Sequence, residues 1–216
     1  MPTSGNRLSF KKSVTVLSLV ALWIVSFLLI LTSSMPSDGV YPTLWIFSSS
    51  ILLLLLLIKT FQAKPAIILS LNHCELKWFF LSLLLACLYW LADYHLMRFF
   101  SPESYSETLT RWQQGVRGYY FWSVMLSSVI LAPLFEELYF RGLLLKTLKQ
   151  KTPDCLAVIS SAFLFACVHW SWPEFISLFG IGFIYGWMTL KANSIFPALL
   201  AHIIHNALTF WFYVSH

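Results

Sequence analysis

The sequence predicts an all-α, polytopic membrane bundle of about seven transmembrane helices with a cytoplasmic N-terminus. Three observations carry that expectation. Apolar runs long enough to cross a hydrocarbon core of about 30 Å recur along the whole chain. The 216 residues are 58% hydrophobic and only 11% charged, more apolar surface than a soluble domain of this size hides. The basic residues gather at the ends of the apolar runs and mostly on one side of the membrane that the runs define.

The first run, 14–32, follows a basic start at Arg7, Lys11 and Lys12. It is longer than a usual signal core, and the TSSMPSDG that follows has no small-x-small cleavage site, so it reads as a retained first helix. The second, 42–58, contains SSILLLLLL (Ser49 to Leu57) and reads as plain lipid-facing helix. The link from Lys59 to Lys77, with His73 and Glu75, is a solvated loop. The third run, 78–97, ends in Asp93, Tyr94, His95 and Arg98, expected to anchor at the interface by snorkelling. Ser101 to Gly118 is polar, with Glu103, Glu107, Arg111, Trp112 and Arg117, and is expected to lie as an amphipathic helix over the outer face. Four more runs follow at 119–145, 156–170, 174–190 and 195–213. The expected organisation is therefore 1–118, three helices with an outer segment, and 119–216, a four-helix core.

With the N-terminus inside, Arg7, Lys11, Lys12, Lys59, Lys64, Lys77, Arg141, Lys146, Lys149, Lys151 and Lys191 fall on the inner side and only Arg98, Arg111 and Arg117 on the outer. That asymmetry sets the orientation. It also accounts for the net charge of +5, so no nucleic-acid partner is expected and the partner is membrane lipid. Cys74, Cys87, Cys155 and Cys167 form no CxxC and no regular framework, and read as buried small hydrophobes, not as disulfides or zinc ligands.

The stretch APLFEELYFRGLLL, Ala132 to Leu145, breaks the apolar pattern with Glu136, Glu137 and Arg141. A charge near the bilayer centre costs about 2.5–3.5 kcal/mol on insertion scales, so three within one segment demand partners or a purpose. Glu137 and Arg141 are four apart, acid before base, the favourable order for a pair on one helix face. Glu136 lies about 100° around the helix from Glu137 and is left as the free carboxylate, the candidate for chemistry.

Further polar groups sit in later runs. Phe165 and His169 are four apart in FLFACVHW; His202 and Asn206 are four apart in AHIIHNAL, with His205 to one side. Gly180, Gly182 and Gly186 permit close helix packing. Counting about 1.5 Å of rise per residue from the inner boundaries, Glu136, His169, His202 and Asn206 reach a common layer near the middle of the membrane. A carboxylate, two imidazoles and a carboxamide on three helices at one depth point to a site. No GxSxG is present, and Cys167, two residues from His169, faces elsewhere, so a serine or cysteine nucleophile is not expected.

These residues resemble the CAAX prenyl protease and bacteriocin-processing (CPBP, Abi) family of intramembrane proteases. Its EExxxR motif is met by Glu136, Glu137 and Arg141, its FxxxH by Phe165 and His169, and its final His-x-x-x-Asn by His202 and Asn206. The pattern GIGFIYGWMTLKANSIFPALLAHIIHN, Gly180 to Asn206, is also similar to the family's. The resemblance covers about 132–206 and implies hydrolysis of a peptide bond of a membrane-associated peptide or protein. In eukaryotic members of the family the substrate is a prenylated CaaX protein, an identity that does not carry over to a short chain expected in a bacterial inner membrane. The resemblance implies Glu136 as the base that activates water, His169 as its helper, and His202 and Asn206 as oxyanion donors, with Glu137, Arg141 and Phe165 in support. No cofactor is expected on that reading. A zinc-dependent version would instead use His169, His202 and Glu136 as ligands, although the chain has no HExxH. Two other classes stand beside the protease: a non-catalytic immunity or scaffold protein that binds a peptide, and a transporter, for which the expected inverted repeats are absent from the sequence.

Overall fold

The computed structural model describes residues 75–100, 102, 103, 106, 107, 110, 121–169 and 174–215, all within one compact unit, Leu69–His216. The expected helices at 14–32 and 42–58, the loop after them and Cys74 lie outside the described residues, and with them the count of seven and the orientation of the N-terminus. Within 101–118, the described Pro102, Glu103, Ser106, Glu107 and Thr110 are helical and exposed.

Beside those helical residues, five longer helices lie among the described residues. They are α1, Leu76–Phe100; α2, a continuous helix over 121–148; α3, Asp154–Cys167; α4, Phe175–Ala192; and α5, Phe196–Ser215. All regular structure among the described residues is helical, and each helix falls on one of the apolar runs. α1, α4 and α5 are long and apolar enough to cross a membrane; α3 is a shorter apolar helix.

The helix ends have local causes. α3 starts after the extended Pro153 with Asp154 in its first turn, where the N-terminal dipole favours a carboxylate. α4 stops at Asn193, which takes a left-handed φ of 49°, a conformation that asparagine tolerates and that returns N–H groups to the last carbonyls. Ser194 Oγ then accepts the Phe196 N–H at 3.2 Å, and Pro197 occupies the first turn of α5, where a missing N–H removes no helix bond.

Packing separates the helices by role. On α1 only Ser82 and Ala86 are buried, while Phe80, Leu84, Leu88 and Leu91 are exposed, as a lipid-facing wall requires. α2 is the opposite: seven residues of Leu138–Leu145 are buried, so this stretch is enclosed nearly all round. α3 and α4 approach closely because Gly182 and Gly186 carry no Cβ. A Cβ on Gly182 would come within 3.2 Å of the Ala162 backbone and the Phe165 ring, and one on Gly186 within 3.2 Å of Val158. Gly180 serves the same purpose against the Tyr89 hydroxyl of α1.

α2 leaves α geometry twice, at Leu126–Leu131 and Leu138–Leu145, where hydrogen bonding takes the wider π pattern. The α segment between them is Ala132–Glu137, so both glutamates sit between two irregular stretches. Such irregularities concentrate at functional positions.

Two expectations need correction. Cys87 and Cys155 are exposed and Cys167 is partly so; they are free thiols, but on helix surfaces and not in the core. Lipid is as apolar as a core, so composition alone does not tell the two apart. Asp93 does not snorkel outwards. It turns into the bundle and accepts the hydroxyl of Ser177 on α4, whereas its neighbours behave as anchors, with Arg98 Nη1 donating to Tyr94 Oη at 2.8 Å on the exposed face.

Candidate active site

Glu137 is the hinge of the arrangement. Its carboxylate is fully buried, and its Oε1 accepts two hydrogen bonds, from Arg141 Nη1 at 2.8 Å and from His202 Nδ1 on α5 at 2.9 Å. Arg141 is buried as completely. Its Nη2 donates to the Gly182 carbonyl on α4 at 3.1 Å, and its guanidinium lies 4.7 Å from the Phe165 ring centre and 5.4 Å from that of Tyr185. Aromatic faces are favourable neighbours for a desolvated guanidinium. The pair expected within α2 is therefore also a clamp on three other helices. Behind it, Glu137 Oε2, Arg141 Nε and Tyr185 Oη are buried without a hydrogen-bond partner among the described residues.

Glu136, one residue back, points elsewhere. Its side chain keeps 28% of its exposure, and its Oε2 lies 3.7 Å from His202 Nε2 and 3.9 Å from His169 Nε2. His169 stands just past the end of α3. Its Nδ1 meets the Phe165 carbonyl at 2.7 Å, and its ring packs on the Phe165 ring at 4.7 Å between centres. The four-residue spacing of Phe165 and His169 thus serves twice, once through the backbone and once through the ring.

These hydrogen bonds settle both tautomers. A carboxylate and a carbonyl only accept, so Nδ1 carries the proton in His202 and in His169. Both Nε2 atoms face Glu136. The result is a chain of contacts running Arg141, Glu137, His202, Glu136, His169, buried at the arginine end and open at the other, where His169 retains 30% exposure.

Asn206, one turn beyond His202, is placed differently. Its Nδ2 donates to the Ser128 carbonyl of α2 at 2.8 Å, which fixes the amide and ties α5 to the first π stretch. Glu136, His169 and His202 come together with Glu137, Arg141 and Phe165 behind them, and Asn206 borders the group from the Ser128 side. Sequence reasoning missed Tyr185, whose ring lies 5.1 Å from that of His202, and the acceptor role of Gly182. Their signal was present: in GIGFIYG the two are three apart, hence on one helix face.

Among the described residues no three His, Cys, Asp or Glu side chains are grouped so as to hold a metal ion. A tetrahedral zinc with bonds of about 2.0–2.1 Å needs ligand atoms about 3.3 Å apart. The separations around Glu136 are 3.7 and 3.9 Å.

No curated protein matches the chain, and no solved structure does. Residues 118–208, which span every candidate residue above, match the model of the Rce1-like family, type II CAAX prenyl endopeptidases. That family suggests a CAAX-type intramembrane protease, and together with the apolar helices an integral membrane protein. The matched stretch carries the three motifs read from the sequence.

Proposed function

We propose that this protein is an intramembrane endopeptidase that cleaves a membrane-associated peptide or protein by a metal-free, glutamate-dependent mechanism. The observation that carries the proposal is Glu136 Oε2 at 3.7 and 3.9 Å from two imidazole Nε2 atoms whose Nδ1 protons are committed elsewhere. A water set to one side of these atoms reaches Glu136 and His169 together. Glu136 Oε2 and the neutral His169 Nε2 are both acceptors, so the water donates one hydrogen to each and turns an oxygen lone pair towards the scissile carbonyl carbon. Glu136 takes the proton as the C–O bond forms. A positioned base of this kind contributes about 10²–10⁴-fold.

The tetrahedral oxyanion then needs donors. Asn206 has a second Nδ2 hydrogen beyond the one given to Ser128. His202, tied through Nδ1 to Glu137, is a further donor through Nε2 when it carries both protons. One such donor is worth about 2.7–4 kcal/mol where measured. Collapse of the intermediate breaks the C–N bond, and Glu136 returns its proton to the leaving amine.

The same reading sets the protein in a bacterial inner membrane with the N-terminus in the cytoplasm, in a bundle of about seven helices, acting on a peptide substrate and needing no nucleic acid. The test is cleavage of a peptide library by the purified, detergent-solubilised protein, wild type beside Glu136→Gln, with and without a zinc chelator. Cleavage should fall by about 10²–10⁴-fold in the variant and be indifferent to the chelator. Loss on chelation, restored by zinc, would make His169 and His202 ligands. A variant that still complements in cells, with no peptide ever cut, would replace the protease with a peptide-binding role.

A further inference from the structure

Next to the candidate site the bundle holds a half-open cavity of about 210 Å³, with Tyr89, Asp93, Glu174, Ser177, His205 and Asn206 in its wall. At about 30 Å³ per water it has room for roughly seven, enough for one long side chain. Its polar lining is one-sided. Asp93 and Glu174 both line it, and among the described residues no lysine or arginine does. Among the described residues no salt bridge reaches either carboxylate.

The acidic wall is held in place by a network. Tyr89 Oη donates to the Ser177 carbonyl, and the Ser177 hydroxyl donates to Asp93 Oδ1, which fixes one carboxylate oxygen and leaves the other to the cavity. His205 adds an independent sign of a missing ligand: its buried Nδ1 has no hydrogen-bond partner among the described residues, while its ring packs against Tyr89 at 5.9 Å. Ionisable groups within a membrane bundle that lack partners of their own mark a ligand or substrate path. A wall with two carboxylates and, among the described residues, no cation suits a basic side chain.

The cavity also touches the chemistry. Asn206 and Ser128 belong to its wall and are joined by the hydrogen bond that fixes the Asn206 amide. We propose that the cavity is a substrate subsite that takes one basic side chain, lysine or arginine, of the peptide being cut, its charge held by Asp93 and Glu174. This rests on the protease reading, which puts the scissile carbonyl beside Asn206.

The experiment uses peptides carrying a single lysine moved along the sequence, each with a glutamine counterpart. Binding is measured by fluorescence anisotropy to the detergent-solubilised Glu136→Gln protein, and cleavage with the wild type. At one position relative to the cut, the lysine peptide should bind and be cut about ten- to a hundredfold better than its glutamine partner, the ratio that a charge-assisted hydrogen bond gives. Adding Glu174→Gln should erase most of that preference and leave the glutamine peptide unchanged. Asp93→Asn also disturbs the Ser177 contact, so Glu174→Gln is the deciding variant, with its unfolding temperature as the folding control. Cleavage with no lysine preference at any position overturns the subsite and leaves the protease standing. Glu174-dependent selective binding with no peptide ever cut supports the cation site and removes the protease reading. Equal binding of lysine and glutamine peptides to Glu136→Gln overturns the inference outright.

Discussion

Two adjacent glutamates on one helix occupy opposite environments. Glu137 is sealed between Arg141 and His202 with no exposure. Glu136 keeps 28% and touches its neighbours only across gaps of 3.7 and 3.9 Å. A rotation of about 100° per residue separates a carboxylate used to hold four helices from one left with unspent acceptors. The difference teaches that charge inside a membrane bundle has two uses, and that geometry and not residue type assigns them. The buried acid is held through one oxygen and closed off; the half-open one is accessible and therefore available.

That contrast breaks most visibly if the two ends of the contact chain are altered separately. Arg141→Met strands the Glu137 carboxylate in a closed site, and loss of one partner of a buried pair costs about 3–5 kcal/mol. Glu136→Gln, at a half-open position, should stay within about 0.5 kcal/mol of the parent while abolishing cleavage. Unfolding of the two variants side by side in detergent checks this, and equal destabilisation would dissolve the distinction. A smaller effect is expected from Gly182→Ala. The new methyl meets the Ala162 backbone and the Phe165 ring at 3.2 Å and pushes the Arg141 acceptor away, an overpacking cost of about 1–3 kcal/mol. Activity should fall with it, because Phe165 carries His169. Asn206→Ala should also cost little stability. It removes the bond to Ser128, and interhelical hydrogen bonds in membranes average about 0.6 kcal/mol, yet the proposed oxyanion role predicts a drop in kcat of about 10²–10³-fold. A stability loss with no kinetic loss would reduce Asn206 to a tether.

Much of this was legible in the sequence because membrane segments leave few innocent explanations for charge. Glu136, Glu137, Arg141, His169 and His202 announced themselves as polar groups at compatible depth, and the Glu137–Arg141 pair follows from spacing alone. The contact of Glu137 with His202 did not, since the two lie on different helices and nothing in a single sequence pairs them. The inward turn of Asp93 was hidden for the same reason: its partner Ser177 sits on α4, and a carboxylate near a helix end reads equally well as an anchor. The surface cysteines were misjudged because both faces of a membrane helix look alike in composition. The π stretches of α2 escaped as well, because an unbroken apolar run carries no periodicity to mark a change of helical pitch.

The order of acid and base in α2 has a consequence for biogenesis. During synthesis this segment emerges before α4 and α5, so neither the Gly182 carbonyl nor His202 yet exists to receive Arg141 and Glu137. The sole compensation within reach is the bond the two make with each other, four residues apart on their own helix. The segment enters the lipid with that pair already neutral and only Glu136 uncompensated. The later helices then close over a charge pair that had carried its own counterion from the start.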